Sequence, residues 1–329
     1  MPLLSMPSIH SLISWRTVAI IFAVVNLKAL PLAWHFRLLY RMLANWYTEA
    51  RIKRTASLAV VGTSPTHRHP LFEPVSIFSH APLLETDYNL HKSNSTYFSD
   101  LDESRTALMT KVLIPGLKQG AKNLERDGHR GRLAVILGSV HTSFHREIAP
   151  YERYEVRSRV LGWDRKWIVV ASWFIRPAKQ GKEEVLLASA LSKYVVKKGR
   201  FTVPPERCFA TAGWLPPKPA DSEKPQAEVE AAEGGASEPS ADTTPEGLQE
   251  SVPEPALTAA TELVEKLETA TEQVSQSEVL ESREPPTAPV DEEGDWDWHR
   301  IERERLRGLH VAANWLALDQ ELLEEFLRG

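Results

Sequence analysis

The run Leu84-Glu-Thr-Asp-Tyr-Asn-Leu-His-Lys-Ser-Asn-Ser-Thr-Tyr-Phe-Ser-Asp-Leu-Asp-Glu-Ser-Arg105 constrains this chain more than any other stretch. It reads as an extended segment, a polar bend and the start of a helix. Asn94 or Ser95 is suited to cap the first turn, and Asp100, Asp102 and Glu103 follow where acids favour the positive end of a helix. Tyr97, Leu101, Leu108 and Val112 recur at helical spacing on one face, with Arg105 and Met109 beside them. Asp87 is then expected just outside the helix N-terminus. A carboxylate beside free backbone N–H groups is an arrangement that can polarise a carbonyl and attack it. The plainer alternative for Asp87 is a turn aspartate that accepts backbone hydrogen bonds.

Downstream and upstream patterns supply a sheet for that helix. Val75-Ser-Ile-Phe reads as a first strand, and Ile114-Pro-Gly116 is expected to end the helix. After a polar loop or short helix over Gly120 to Gly131 come four strand-like runs. They are Leu133 to Leu137 leading into Val140 to Phe144, Tyr154 to Leu161, Trp167 to Ile175, and Val185 to Val196. Glu155, Arg157 and Arg159 alternate with Val156, Ser158 and Val160, the period of a half-exposed strand. Gly162 to Lys166 fits a hairpin connection, and Pro177 to Glu184 another polar turn. One long helix followed by a run of antiparallel strands is an α+β pattern.

The order Glu85-Thr86-Asp87, Asn94, Tyr97, Asp102 and Arg105 resembles the signature of hot-dog-fold acyl thioesterases of the hydroxybenzoyl-CoA thioesterase superfamily. More narrowly, the run resembles membrane-anchored thioesterase-superfamily-member-six-like proteins and their fungal relatives. The resemblance implies an antiparallel sheet wrapped around one central helix, spanning about residues 70 to 215. It implies hydrolysis of acyl-CoA or acyl-carrier thioesters without a cofactor, by a homodimer whose sheets join edge to edge with the acyl tunnel at the interface. Carried over residue by residue, Asp87 becomes general base or nucleophile, and Asn94 orients water or the thioester where many relatives have histidine. His91, Tyr97 and Asp102 become candidates for lining the substrate site, although Tyr97 also suits packing and Asp102 also suits pairing with Arg105. Asn89-Leu90 stands where relatives often have glycine. A non-catalytic acyl-binding or scaffold protein on the same fold is the alternative of another class. A hydratase is the weaker one, because Asp87-Tyr-Asn-Leu-His91 lacks the proline of the hydratase motif and is one residue short.

The flanks read differently. Val18 to Val25 is apolar, and the character continues to Trp34 with interruptions at Asn26, Lys28 and Pro31. Residues 1–54 are therefore expected to form an N-terminal apolar helix region that anchors the chain in a membrane. A cleaved signal peptide and a buried helix are the competing readings. Arg37, Arg41, Arg51, Lys53 and Arg54 follow the apolar run and only Arg16 precedes it, which would place the main domain on the cytosolic side of an endomembrane such as the endoplasmic reticulum. Residues 216–294 are rich in Pro, Glu, Ala, Ser and Thr and are expected to be a disordered acidic linker, with weak helical promise over Leu257 to Val274. Residues 295–329 carry Ile301, Leu306, Leu309, Ala313, Leu316 and Leu323 at helical intervals and are expected to form a C-terminal amphipathic helix. It either docks on the sheet or its dimer mate, or binds a partner or a membrane surface. Gly308 and Asp319 disfavour it locally.

Charge and rare residues exclude several chemistries. Of 44 acids and 39 bases, 21 and 3 fall between Asp221 and Asp295, leaving 23 and 36 elsewhere, a surplus of +13. A basic folded part suits phosphate-bearing ligands such as CoA or an anionic membrane surface, and a solvated basic surface with neither role is the plainer alternative. It carries no aromatic-interleaved basic motif, which argues against nucleic acid. Cys208 is the only cysteine, so no internal disulfide forms. His67, His69 and His80 are scattered without cysteine or acid at ligand spacing, so no metal is expected. His141 and His145 share a strand face, where surface or core histidines are commoner than pocket ones. Neither a glycine-rich phosphate loop nor a Gly-x-Ser-x-Gly elbow is present.

Overall fold

The computed structural model describes residues 14–60, 69–178, 183–219 and 296–328. The acidic linker from residue 220 onward, its Leu257 to Val274 segment and the connector at 61–68 with His67 lie outside these residues.

One helix sets the layout. It runs Asn94–Arg126 (here α4) and buries Tyr97, Leu101, Leu108 and Val112, the face marked out by their spacing. Against it lies an antiparallel sheet of β1 (Val75–His80), β2 (Leu133–Phe144), β3 (Arg153–Trp163), β4 (Trp167–Arg176), β5 (Val185–Lys198) and β6 (Phe201–Val203). The order across the sheet is β1-β3-β4-β5-β2, with β6 pairing the end of β5. The middle strands β3 and β4 are buried on most residues, Glu155 included, so the half-exposed alternation expected of β3 is not realised. Val156, Val160, Ile168, Val170, Phe174 and Ala188 are buried in the cores that also hold the α4 side chains. The β3–β4 hairpin is closed by Asp164, whose Oδ1 accepts the N–H groups of Lys166 and Trp167 at 2.7 and 2.5 Å.

The helix does not stop at Ile114-Pro-Gly116. Proline only removes one donor and crowds one carbonyl, and packing on both sides carries the helix through. Gly116 is where α5 (Pro205–Thr211) and the residues after it cross closely, since a Cβ there would sit 2.7 Å from the Ala212 nitrogen.

The opposite face of the sheet carries the C-terminal helix α6 (Trp298–Arg328), continuous through Asp319. Leu309, Ala312, Trp315 and Leu316 pack on Leu161, Val169, Ala171, Trp173 and Leu191. Arg305 donates to the Trp163 carbonyl at 2.6 Å. Gly308 is the contact point, because a Cβ there would lie 1.6 Å from the Leu161 oxygen. Glycine is a weak helix former, but only glycine lets this helix approach the strand backbone.

The N-terminal segment requires a correction. Among the described residues no helix is long and apolar enough to cross a membrane, which overturns the expected membrane anchor and the endomembrane placement built on it. Helix α1 (Trp15–Val25) has 11 residues, about 16 Å at the helical rise, roughly half a bilayer core. A single 3-10 turn at Leu27–Ala29 follows, and α2 (Ala33–Tyr47) begins only after Leu32 turns left-handed at φ 66°. Helix α3 (Glu49–Val60) continues the segment. Val18, Ile20, Ile21 and Val24 on α1 stand exposed.

The polar residues that interrupt the apolar run explain the break, because they are buried in the protein. Asn26 is fully buried, donates to the Phe22 carbonyl at 2.9 Å and accepts the Leu84 N–H at 2.9 Å. The arginines taken as flanking charges pair with carboxylates of α4. Arg37 reaches Asp100 at 3.0 Å and also Glu103, and Arg41 reaches Glu103 at 2.8 Å. Asn45 donates to the Ala107 carbonyl and to Thr110 at 2.9 and 2.6 Å. Lys28 Nζ lies 2.9 Å from Asp100 Oδ1, and the Tyr154 hydroxyl donates to Asp100 Oδ2 at 2.5 Å. Burial alone would push the Asp100 carboxyl up. Lys28 and Lys92, with the hydrogen bond from Tyr154, more than reverse that and hold it below the ordinary carboxylate range.

Two outcomes are expected. Gly308→Ala should destabilise by roughly 1–3 kcal/mol despite alanine's higher helix propensity, whereas Gly120→Ala, whose Cβ would meet only a Thr211 methyl at 3.7 Å, should be neutral or stabilising in denaturant titrations. Asp100→Asn should lose about 3–5 kcal/mol at pH 7. Because the folded pKa is depressed, the wild-type advantage is complete above the unfolded value near pH ~4 and should shrink below it when both proteins are unfolded across pH.

Candidate functional site

The chain between β1 and α4 is built as a clamped turn. A 3-10 turn, Leu83–Glu85, brings it round, and an antiparallel bridge pairs Thr86 with Lys92. Inside the bridge, the Asp87 N–H donates to the His91 carbonyl at 3.0 Å and the Leu90 N–H to the Asp87 carbonyl at 3.1 Å. Leu90 sits at φ 61°, the left-handed geometry that favours glycine, and it is reached here at some strain. At the tip, Asp87 Oδ1 accepts the Asn89 N–H at 2.9 Å and lies 3.5 Å from His91 Nδ1. Among the described residues Oδ2 accepts no hydrogen bond. The carboxylate is about a fifth exposed, with Tyr88 and Leu90 standing out on either side of Asn89.

The stem of this turn is anchored in charge. Lys92, with a fully buried side chain, places Nζ 2.6 Å from Glu85 Oε2 and 3.0 Å from Asp100 Oδ2. Lys28 adds 2.8 Å to Glu85 Oε2, and the Ser93 N–H donates to the Glu85 carbonyl at 2.8 Å. Burial draws the Lys28 ammonium below its ordinary value, while Asp100 and Glu85 pull it back up. Burial first, then Asp100, raises the Tyr154 hydroxyl well above its usual value, so it stays a donor.

Immediately beyond, α4 starts at Asn94 with Ser93 as its cap, and no side chain bonds the first-turn amides. The Thr96 N–H is taken by the Ser93 carbonyl at 2.9 Å, while the N–H groups of Asn94 and Ser95 have no partner within the helix and are left as donors. The residues marked out from sequence separate at this point. Asp87 and His91 meet in the turn. Asn94 is exposed at the first position of α4. Tyr97 is buried, its ring 4.8 Å from Phe174 and 5.0 Å from Phe144, with burial pushing its hydroxyl up to about 12. Asp102 pairs with Arg105 at 2.7 Å, and Arg105 also donates to Ser192 and to the Leu101 carbonyl within the core. His141 and His145 are exposed and bond Ser143 and Ser189. No group of three or more metal-ligating side chains stands together among the described residues.

Sequence reasoning missed Glu85, Lys92, Asp100, Lys28 and Tyr154. A signal was present. Asp100 and Glu103 fall three apart beside the apolar stripe of α4, and Asn26 and Lys28 interrupt an otherwise apolar run. Two cavities are evident elsewhere. One is a groove of about 410 Å³ lined by Arg157, Arg159, Trp173 and Glu184 on the α6 side of the sheet. The other is a small apolar cavity of about 40 Å³ near Leu117 and Cys208, toward the C-terminal end of α4. Neither borders Asp87.

This arrangement agrees with comparisons to known proteins. A family model described as the thioesterase-like superfamily matches residues 81–207, which takes in the turn, α4 and the whole of β2 to β6. A thioesterase of Purpureocillium lilacinum is 42% identical over 228 residues, covering 63% of this chain and 74% of that protein. A probable thioesterase of Emericella nidulans is 38% identical, covering 60% and 71%. A probable thioesterase of Saccharomyces cerevisiae is 33% identical, covering 58% and 77%. A solved 1,4-dihydroxy-2-naphthoyl-CoA thioesterase from Synechocystis superposes with a TM-score of 0.31 at 14% identity, across 42% of this chain and 94% of that one. With identities this high over more than two thirds of several relatives, and the clamped turn and long helix inside the matched region, the chain belongs to the thioesterase-like superfamily.

Proposed function

We propose that this protein hydrolyses acyl thioesters carried by CoA or an acyl-carrier protein, and that Asp87 is the catalytic carboxylate. The observation that carries the reading is a carboxylate held by one oxygen at the tip of a clamped turn, just before a helix whose first amides no side chain caps. A thioester carbonyl lying between them would meet donors on its oxygen side and the free Asp87 oxygen on its carbon side. Asp87 then takes a proton from the water that adds to the carbonyl carbon. The developing oxyanion is held by the α4 amides, the C–S bond breaks, and the thiol leaves with the proton. Direct attack by Asp87 to form a mixed anhydride, hydrolysed in a second step, uses the same geometry. His91 supports the carboxylate from 3.5 Å, and Asn94 offers a side-chain amide at the helix start.

The acyl chain needs an apolar wall, and the edge of the sheet offers one. Among the described residues, strand β2 has no strand partner on its far side. Val135, Ile136, Leu137 and Phe144 stand exposed along it. A long apolar edge strand invites pairing with another chain. A second copy joined along β2 would extend the sheet and bring its own α4 alongside, closing a channel beside Phe144. The basic surplus outside the acidic segment suits the phosphates of CoA or the pantetheine arm.

Asp87→Asn should reduce kcat/KM on a panel of acyl-CoAs by about 100-fold or more, with an unchanged unfolding midpoint. Equal turnover by variant and wild type would remove Asp87 from the chemistry, and no turnover by wild type on any thioester would favour a non-catalytic acyl-binding protein. Leu137→Glu should convert a dimer to a monomer in sedimentation velocity; a wild type that sediments as a monomer would contradict the edge-to-edge assembly.

A further inference from the structure

We propose that Lys28 is a positioning residue for the Asp87 turn, so that the segment at residues 26–45 is a working part of the thioesterase site. This rests on the hydrolase reading above and extends it to residues outside the region matched by the family model, which begins at residue 81.

The geometry is specific. Lys28 Nζ donates to the His80 carbonyl at 2.9 Å, to Glu85 Oε2 at 2.8 Å and to Asp100 Oδ2 at 3.0 Å, and lies 3.2 Å from the Tyr154 hydroxyl. Its side chain is 6% exposed. The contacts therefore tie together the end of β1, the start of the turn's stem, the second turn of α4 and strand β3. Asn26, two residues earlier, holds the Leu84 N–H at 2.9 Å. Glu85, just before the Thr86–Lys92 bridge that closes the turn, and Lys92, within it, both end in this cluster.

Charge counting shows why Lys28 acts on the turn and does more than tether the segment. Glu85 and Asp100 share two ammonium groups, Lys28 and Lys92. Without Lys28, Glu85 would be left with Lys92 alone, an ammonium that Asp100 also draws on while keeping Arg37, and Glu85, at the stem, is the less enclosed of the two carboxylates. The stem would loosen to admit water, and the tip carrying Asp87 would lose its fixed direction. Tethering as such has other means, because Arg37, Arg41 and Asn45 dock the same segment on α4.

The test compares Lys28→Met, Lys28→Met/Glu85→Gln and Asn45→Ala in the full chain, with hydrogen exchange of residues 85–93 as the first readout and acyl-CoA turnover as the second. The proposal expects the amides of the turn to exchange at least tenfold faster in Lys28→Met, with kcat falling tenfold or more and KM changing less than threefold. It expects partial recovery of protection and turnover in the double variant, where Lys92 again serves a single carboxylate, and wild-type exchange in the turn of Asn45→Ala. Unchanged exchange in Lys28→Met would overturn it. So would equal loosening in Asn45→Ala, or no recovery in the double variant, either of which marks a general loss of packing. Because exchange is read without substrate, a wild type that hydrolyses nothing would sink the hydrolase reading while this measurement still decides whether Lys28 holds the turn.

Discussion

Two buried ammonium groups set against two buried carboxylates hold this structure at its most demanding point. Each ion alone would be strongly disfavoured away from water, so Lys28, Lys92, Glu85 and Asp100 are stable only as a set, with Tyr154 and Arg37 adding further partners to Asp100. The set joins pieces that are distant in sequence: the N-terminal segment, the stem of the turn, the central helix and strand β3. Such clusters contribute little net stability compared with apolar packing of the same volume. What they supply in return is a tie between pieces that are far apart in sequence.

A second polar layer follows the same logic deeper in. Between α4 and the sheet, the hydroxyls of Ser104, Ser158 and Ser172 form a chain at 2.7 Å steps, and Arg105 is spent on Ser192, Asp102 and the Leu101 carbonyl. Every one of these groups has a partner. The helix is thus fixed in rotation as well as in depth, which determines where its first-turn amides point. Positioning of the donor end of the site follows from the middle of α4, and positioning of the carboxylate end follows from the charged stem.

Much of the architecture was legible in the sequence because it rests on local periodicity. The apolar stripe of α4 and the apolar runs of β3, β4 and β5 appear where the sequence puts them, but the half-exposed alternation read in β3 does not hold, because α6 covers the second face of the sheet. The clamped turn was legible as a bend with Asp87 at its centre, though its strained Leu90 was only a doubt about a missing glycine. What failed was reading charge without its partners. Lys28, Arg37 and Arg41 beside an apolar run look like the flank of a membrane segment when only neighbours in sequence are considered. Their true partners, Glu85, Asp100 and Glu103, lie roughly 60 to 70 residues away, and no local pattern links them. Pro115 misled in a similar way. A helix break is the local expectation, and packing of α5 against Gly116 and the sheet against the rest of α4 overrides it.

The account stands or falls on whether the segment before residue 46 belongs to the thioesterase body. The most direct measurement is to purify without detergent two shortened chains, one starting at residue 14 and one at residue 46, and to record thermal unfolding and acyl-CoA turnover for each. A cooperative transition and full turnover are expected for the first, and for the second a midpoint lowered by at least several degrees with turnover lost, because Glu103 would lose Arg37 and Arg41 while Asp100 and Glu85 would be left to share Lys92. A chain starting at residue 46 that unfolds and turns over like the longer one would contradict it.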